Sequence, residues 1–426
     1  MNQSHRYVFV CAGLAMLATG AAPAPAASVA DFYKGKGLTM YIGHSAGGGY
    51  DRYARTVARH MGRHIPGNPS IVSKNYPGAG GLRLANAIYN TFTQDGSNLA
   101  IIGRQIPLED LTGNKKAKFN ANKFNWLGSA NQETSLCVFW HTSPIKTIDD
   151  MFKKNPIVGA TGTGAGGEYA MMLNNLLGTK LRMITGYPGG VDINLAMERG
   201  EVHGRCAWSW SSITSTAKKW LEQKKIVFPI QIAMTKHKDL ANVPLVTEFI
   251  KNDRDRKALR VILAPLTMGR PFAVGPKVPA DRVAALRAAF DATMKDKTFL
   301  KEAKRGRLPI NPGSGEDIQK LLAGLYALPA DVIKHAGDAL SRTNNIKISK
   351  AVIKTYVHKG KITNTKRGGR RVSWKGGGKK GKLRVSGRGT KITIGGNKAK
   401  RKALKVGMNC TFTVKGAQKA LKIECE

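Results

Sequence analysis

The residues best suited to chemistry lie in glycine-rich turns. Gly43-His44-Ser45-Ala46-Gly47-Gly48-Gly49-Tyr50-Asp51 follows the apolar run Leu38-Thr39-Met40-Tyr41-Ile42 and precedes an amphipathic pattern with Tyr53, Ala54, Val57, Ala58 and Met61 on one face. Gly43, Ser45 and Gly47 match G-x-S-x-G, the strained elbow that exposes a nucleophilic serine in α/β-hydrolases. That chemistry needs earlier strands, an upstream oxyanion loop, and an acid and histidine following in order. Little mature chain precedes the strand, and neither His237 nor His335 stands in a context that singles it out. Gly162, Gly164 and Gly167 match the dinucleotide pattern G-x-G-x-x-G. The acidic residue expected about twenty positions on is missing, with Lys180-Leu181-Arg182-Met183 in its place. No cofactor is expected.

A plainer chemistry suits these turns better. A strand, a glycine loop and a helix start together leave backbone N–H groups free at a helix N-terminus, where they favour an anion. Asn75-Tyr76-Pro77-Gly78-Ala79-Gly80-Gly81 repeats the arrangement, between the strand Ser70-Ile71-Val72-Ser73 and a helix carrying Leu84, Ala85, Ile88 and Tyr89. Thr161-Gly162-Thr163-Gly164 repeats it after the strand Ile157-Val158-Gly159-Ala160 and before a helix with Tyr169, Met172 and Leu173. Gly186-Tyr187-Pro188-Gly189-Gly190-Val191-Asp192 again precedes a helix. Any one of these is an ordinary tight turn. Four of them, at the carboxyl ends of strands, fall where open α/β sheets bind ligands.

The elements that position the turns are framed by two compositional breaks. Met1 to Arg6 ends in a positive charge, Tyr7 to Ala22 is apolar, and Ala24-Pro25-Ala26 offers a cleavage point, the order of a secretory signal peptide over residues 1–26. Export removes Cys11 and leaves Cys137, Cys206, Cys410 and Cys425. None has C-x-x-C spacing, so zinc is not expected, and an oxidising compartment permits two disulfides. Cys410 and Cys425 flank an apparent hairpin and are the pair expected to bond; pairing of Cys137 with Cys206 is left open. The second break falls near Arg342-Thr343-Asn344-Asn345. From Ser341 onward 25 Lys and Arg face two Glu, a net +23 of the chain's +42. Helical periodicity gives way there to short strands, among them Tyr356-Val357, Val372-Ser373-Trp374, Ile392-Thr393-Ile394 and Cys410 to Val414, separated by glycine turns. Residues 346–426 are therefore expected to form a small, basic, all-β barrel-like domain.

The turns, taken in order, resemble the Bug-type periplasmic receptors of tripartite tricarboxylate transporters. The resemblance rests on Ala46 to Asp51, Asn75 to Gly81, Gln94-Asp95-Gly96, Gly162-Thr163-Gly164, Tyr187 to Gly190, Glu198 to Val202, Asn242 to Glu248 and Arg270 to Pro276. It implies an α/β, two-lobed, Venus-flytrap fold without catalysis, with lobe 1 over 31–131 and 265–340 and lobe 2 over 132–264. It also implies that a small carboxylate ligand is held largely by backbone amides of the first two glycine loops, with Ser45, Ala46, Gly47, Gly48, Gly49 and Tyr50, and Pro77, Gly78, Ala79, Gly80 and Gly81, as the binding residues. From lobe 2, Thr161, Gly162, Thr163 and Gly164 would close over it, with Tyr187 and Asp192. Such a site needs no buried Lys or Arg. Asp51 is expected to start a helix rather than touch ligand. His44-Ser45 stands where many members have a proline-containing turn, and the basic tail lies outside the family's usual extent.

The partners implied are the ligand and membrane transporter subunits, in the periplasm. Trp208, Ser209 and Trp210, after an expected strand from Val202 to Ala207, are candidates for an aromatic wall or for packing in lobe 2. The tail suits an anionic envelope surface. Its few aromatics, Tyr356, Trp374 and Phe412, argue against base stacking, and nucleic acid is not an expected partner. A serine hydrolase and a polyanion-binding surface protein are the alternatives.

Overall fold

The computed structural model describes residues 28–162, 167–341, 347–351, 355–387, 389–416 and 419–426. The signal segment, Thr163 and Gly164 lie outside them. Three sheets organise the chain. The first runs in the order Gly313–Ser314, Asn125–Ser129, Pro271–Val274, Asn98–Ile101, Gly37–Ile42, Ser70–Asn75. Its last three strands are parallel, so the loops after Ile42, Asn75 and Ile101 emerge side by side at one edge. The second runs Ile348–Lys350, Arg182–Thr185, Ile157–Gly159, Gly204–Ser209, Ser135–Trp140, Ile226–Ile232. The chain passes from the first sheet to the second after Ser129 and back before Pro271. This is the two-lobed α/β architecture, with a separate β module behind it.

Packing follows the sequence pattern. The strand Gly37–Ile42 buries Leu38, Met40 and Ile42 on one face, and the helix Gly49–Met61 lays Tyr53, Ala54, Val57, Ala58 and Met61 against it. Arg270, Tyr53 and Trp126 are among the largest side chains removed from solvent. A second apolar cluster runs from Leu84 and Ile106 of the first lobe into Tyr169, Met172 and Phe139 of the second, so the lobes rest on one another. The helix Ala330–Leu340 packs on Asp253–Leu263 and on Glu168–Met172.

The third sheet runs Lys379–Arg384, Arg371–Gly376, Thr355–Lys366, Asn409–Lys415, Lys419–Cys425, Lys391–Ile394, Asn397–Lys398, and Arg384 pairs back to Lys419. Five strands thereby close into a small barrel around Ile362, Trp374, Leu383, Phe412 and Ile423. Cys410 and Cys425 oppose each other in register and are bonded. Ile348–Lys350 does not join this barrel. It adds a parallel strand to Arg182–Thr185 of the second lobe, and Ala351 N–H then donates to Thr185 O at 2.6 Å. Tyr356 Oη donates to Glu201 at 2.8 Å, and the Arg199 guanidinium lies 3.4 Å from the Tyr356 ring. The module is thus tied to lobe 2. No described helix is long and apolar enough to cross a membrane.

Candidate functional site

The first glycine turn is pinned from below. Asp51, in the first turn of Gly49–Met61, accepts from Gly47 N–H at 2.9 Å, from Asn75 Nδ2 at 2.8 Å and from Arg55 Nε at 2.8 Å. Asn75 Nδ2 also donates to His44 O at 2.9 Å, joining the first two loops. Asp51 therefore shapes the loop, as its helix-start position suggests. The same bond commits the Gly47 amide to Asp51 rather than to the cleft.

Both lobes meet across this turn. A Cβ on Gly189 of lobe 2 would lie 2.0 Å from Ser45 Oγ, and a Cβ on Gly49 would lie 2.0 Å from Ser212 Oγ. Only glycine permits either approach. The cavity left between the lobes is about 80 Å³. Of the residues expected from the sequence, Ser45, Gly48, Gly49, Tyr50, Gly80 and Thr161 line it. Ala46, Gly47, Pro77, Gly78, Ala79, Gly81, Gly162, Tyr187 and Asp192 are not part of that lining. Tyr187 is buried in the lobe 2 core beside Gly159 and Ile193, and Asp192 stands in the first turn of Gly190–Glu198.

Three arginines enter where none was expected. Arg104 follows Asn98–Ile101, the third parallel strand, so its loop lies beside the two glycine turns. Its guanidinium is buried and donates to Ser135 Oγ at 2.6 Å and Ser209 Oγ at 2.9 Å, both on lobe 2, while its backbone N–H donates to Tyr50 Oη at 3.0 Å. These partners are neutral. Arg270 is neutralised: Glu133 lies 2.8 Å from its Nε, and Ser211 and Ser212 accept from Nη2 at 2.8 Å each. It also bridges lobe 1 to the helix Trp210–Thr216.

Arg205 reaches the cavity through an irregularity. Leu136 opposes Trp208 and Val138 opposes Arg205, so Cys206 and Ala207 together face Cys137 alone. This bulge, with Ala207 at φ 61°, turns Arg205 and Trp208 toward the same cavity although they are three residues apart. The Cys137–Cys206 disulfide lies at that point. Arg205 donates to Gly190 O at 3.0 Å and Asn194 Oδ1 at 3.1 Å and sits 4.8 Å from the Trp208 ring. Burial first, and the charge of Arg104 second, push its pKa down to about 9. His44, stacked on Tyr50 with ring centroids 4.4 Å apart, is pushed down to about 3 by burial and then by Arg270, Arg104 and Arg205. It is neutral at any ordinary pH.

The electrostatic balance follows. Three guanidiniums stand against Glu133 and Glu168, an excess of one positive charge in a place largely closed to water. Low dielectric makes such an excess costly until an anion enters. Trp208 supplies an apolar wall, whereas Trp210 turns away to donate to Asp239 at 3.0 Å. The strand expected from Val202 to Ala207 is observed at Gly204–Ser209, which puts Trp208 inside it. Ser45 Oγ, buried, has no hydrogen-bond partner among the described residues, and the two nominated histidines pair elsewhere, His335 with Asp255 and His237 with Asp239. Neither of these histidines lines the cleft beside Ser45.

Solved structures share this architecture. The chain is similar to the periplasmic binding protein BugD, with 16% identity and a TM-score of 0.56 over 69% of this chain and 95% of that one. It is also similar to MatC from Rhodopseudomonas palustris with bound malate, at 18% identity and a TM-score of 0.55 over 70% and 98% of the two chains. An R. palustris protein with adipate aligns at 17% identity and 0.55, over 70% and 97%. No family model matches the chain, and no curated protein does. The chain has the two-lobed fold of these periplasmic binding proteins, and the matched structures are spanned almost whole.

Proposed function

We propose that the protein is an extracytoplasmic receptor that captures a small carboxylate in the cleft and passes it to a membrane transporter. The observation that carries this reading is the buried pair Arg104 and Arg205, which face one cavity with hydroxyl, amide and carbonyl partners but, among the described residues, no carboxylate within ion-pair distance. A carboxylate between them would supply the charge the pocket lacks, through short charge-assisted bonds. Ser45, Gly48, Gly49, Tyr50, Gly80 and Thr161 would complete the shell, with Trp208 against the apolar part of the ligand. The binding is non-catalytic. Adipate and malate, the ligands of two proteins of the same fold, set the class to try first. The closed cleft, at about 80 Å³, favours the smaller end of that class, since a cavity of about 150 Å³ is what benzene occupies. The reading includes export, with residues 1–26 removed, and a periplasmic location.

A thermal-shift screen of mono-, di- and tricarboxylates against the mature protein tests it. A true ligand at a hundred times its Kd stabilises by about 2.7 kcal/mol. Flat responses across the carboxylates, with a clear shift from a neutral or cationic solute, would refute the proposal.

A further inference from the structure

The barrel carries a charge pattern that the cleft does not use. Register sets Lys361 opposite Lys375, and Lys375 opposite Lys380. A second row sets Lys366 opposite Arg371, and Arg371 opposite Arg384. Between the rows, Asn364, Ser373 and Lys382 stand in line. Val372, Trp374 and Leu383 point into the barrel core, so alternation sends both cationic rows to the opposite face. Lys361, Lys366, Arg371, Lys375, Lys380 and Lys382 are all exposed. Arg384, half-buried, instead feels Asp192 and Asp51 of the lobes.

Directly opposite side chains have Cβ atoms only about 4.5–5.5 Å apart, and like charges there oppose folding. A surface built for solubility would intersperse the signs. Among the described residues, the one ion pair within the module joins Lys422 to Glu424, away from these rows. Two large aliphatic side chains stand out on the same module: Val357 is 62% exposed and Val406 61%. Val357 shares the outward face of its strand with Lys359 and Lys361, and Gly407, beside Val406, bonds to Ile362 of that strand. Trp374 and Phe412 are buried and Tyr356 is engaged by Arg199 and Glu201, so none of these rings is free to stack on a base.

We propose that the outer face of Thr355–Lys366, Arg371–Gly376 and Lys379–Arg384 docks on an anionic phospholipid surface. The exposed cations Lys361, Lys366, Arg371, Lys375, Lys380 and Lys382 meet headgroup phosphates, and the exposed valines rest at the interface. A two-dimensional array of cations with aliphatic neighbours suits a charged bilayer better than a strand of nucleic acid, which would call for exposed rings. Docking does not depend on what the cleft binds. It would hold the cleft beside the membrane.

Co-sedimentation of the full mature chain with phosphatidylcholine vesicles, with and without phosphatidylglycerol, tests this. The expected result is binding only when phosphatidylglycerol is present, reversed by salt. At roughly fivefold per cation, the variant Lys361→Gln/Lys375→Gln/Lys380→Gln should lose partition by more than about a hundredfold. Its unfolding midpoint should hold or rise, because opposed charges are removed, and its response to cleft ligands should be unchanged. A control with the same charge change on the lobes, Lys251→Gln/Lys257→Gln/Lys301→Gln, should bind as the wild type does. Indifference of the wild type to phosphatidylglycerol overturns the proposal, as does undiminished binding by the row variant or equal loss in the control. Binding of soluble polyphosphate without any vesicle binding would assign the face to a free polyanion instead.

Discussion

Replacing Arg205 by methionine separates what the pocket costs from what it does. The side chain is buried, and burial together with Arg104 holds its pKa at about 9 against an ordinary 12.5. At about 1.4 kcal/mol per pH unit, that is a penalty on the cation of roughly 4–5 kcal/mol. Against it stand two hydrogen bonds, to Gly190 O and Asn194 Oδ1, and a ring contact with Trp208; these contribute about 1–2 kcal/mol each. Methionine keeps most of the volume and removes the charge. The ligand-free Arg205→Met protein should therefore be as stable as the wild type or more so, by up to about 2 kcal/mol, read as an upward shift in thermal midpoint. Its carboxylate binding should fall by at least about thirtyfold, since losing one partner of a buried charged contact costs about 2–5 kcal/mol. Thermal melts with and without ligand measure both quantities on one sample. A variant that is destabilised when empty and yet stabilised normally by ligand would refute the reasoning, because Arg205 would then be a structural strut.

Other consequences are as specific. His44 has a folded pKa of about 3, below its ordinary 6.5, so the unfolded chain takes up a proton that the fold refuses. Stability is then full above pH 6.5 and declines as pH falls toward 3, by about 2 kcal/mol at pH 5; His44→Gln should flatten denaturation midpoints between pH 7 and 5. Ala207→Val places a β-branched residue at φ 61° and should cost at least about 1–2 kcal/mol, with weaker ligand binding as the bulge shifts. Ala207→Gly should be neutral or mildly stabilising. Breaking the Cys410–Cys425 bond, which spans 15 residues, with a double serine variant should destabilise the barrel by about 3 kcal/mol and leave cleft binding untouched, as judged by ligand-induced melting shifts.

Much of the frame was legible in the sequence, because glycine turns between strands and helices have steric reasons that survive without neighbours. The loops at Ser45–Tyr50 and near Gly80 fall beside the cleft for that reason, and Asp51 starts its helix as expected. The arginines were not legible. The chain has 69 Lys and Arg, and nothing local distinguishes the three that are buried among the described residues. Gly103-Arg104 does follow an apolar strand, and a single glycine after such a run is the one local signal for Arg104. Arg205 could not be found at all, since its orientation depends on a bulge set by pairing with Ser135–Trp140. In the tail, Tyr356-Val357 proved to be the start of the strand Thr355–Lys366. Lysines on its outer face masked the alternation that Ile362 continues. Ile348–Lys350 joined lobe 2 by parallel pairing, a long-range choice that a composition break at residue 346 does not encode.

Isothermal titration of the mature protein with malate and adipate, each beside its dimethyl ester, tests the central claim most directly. The ester keeps the carbon skeleton and the carbonyl oxygens, adds a methyl at each end, and removes the negative charge that would offset Arg104 and Arg205. Saturable binding of an acid, with no heat from its ester, is the predicted result. An ester that binds as tightly as its acid would contradict the account, as would binding of an acid that survives unchanged in Arg205→Met.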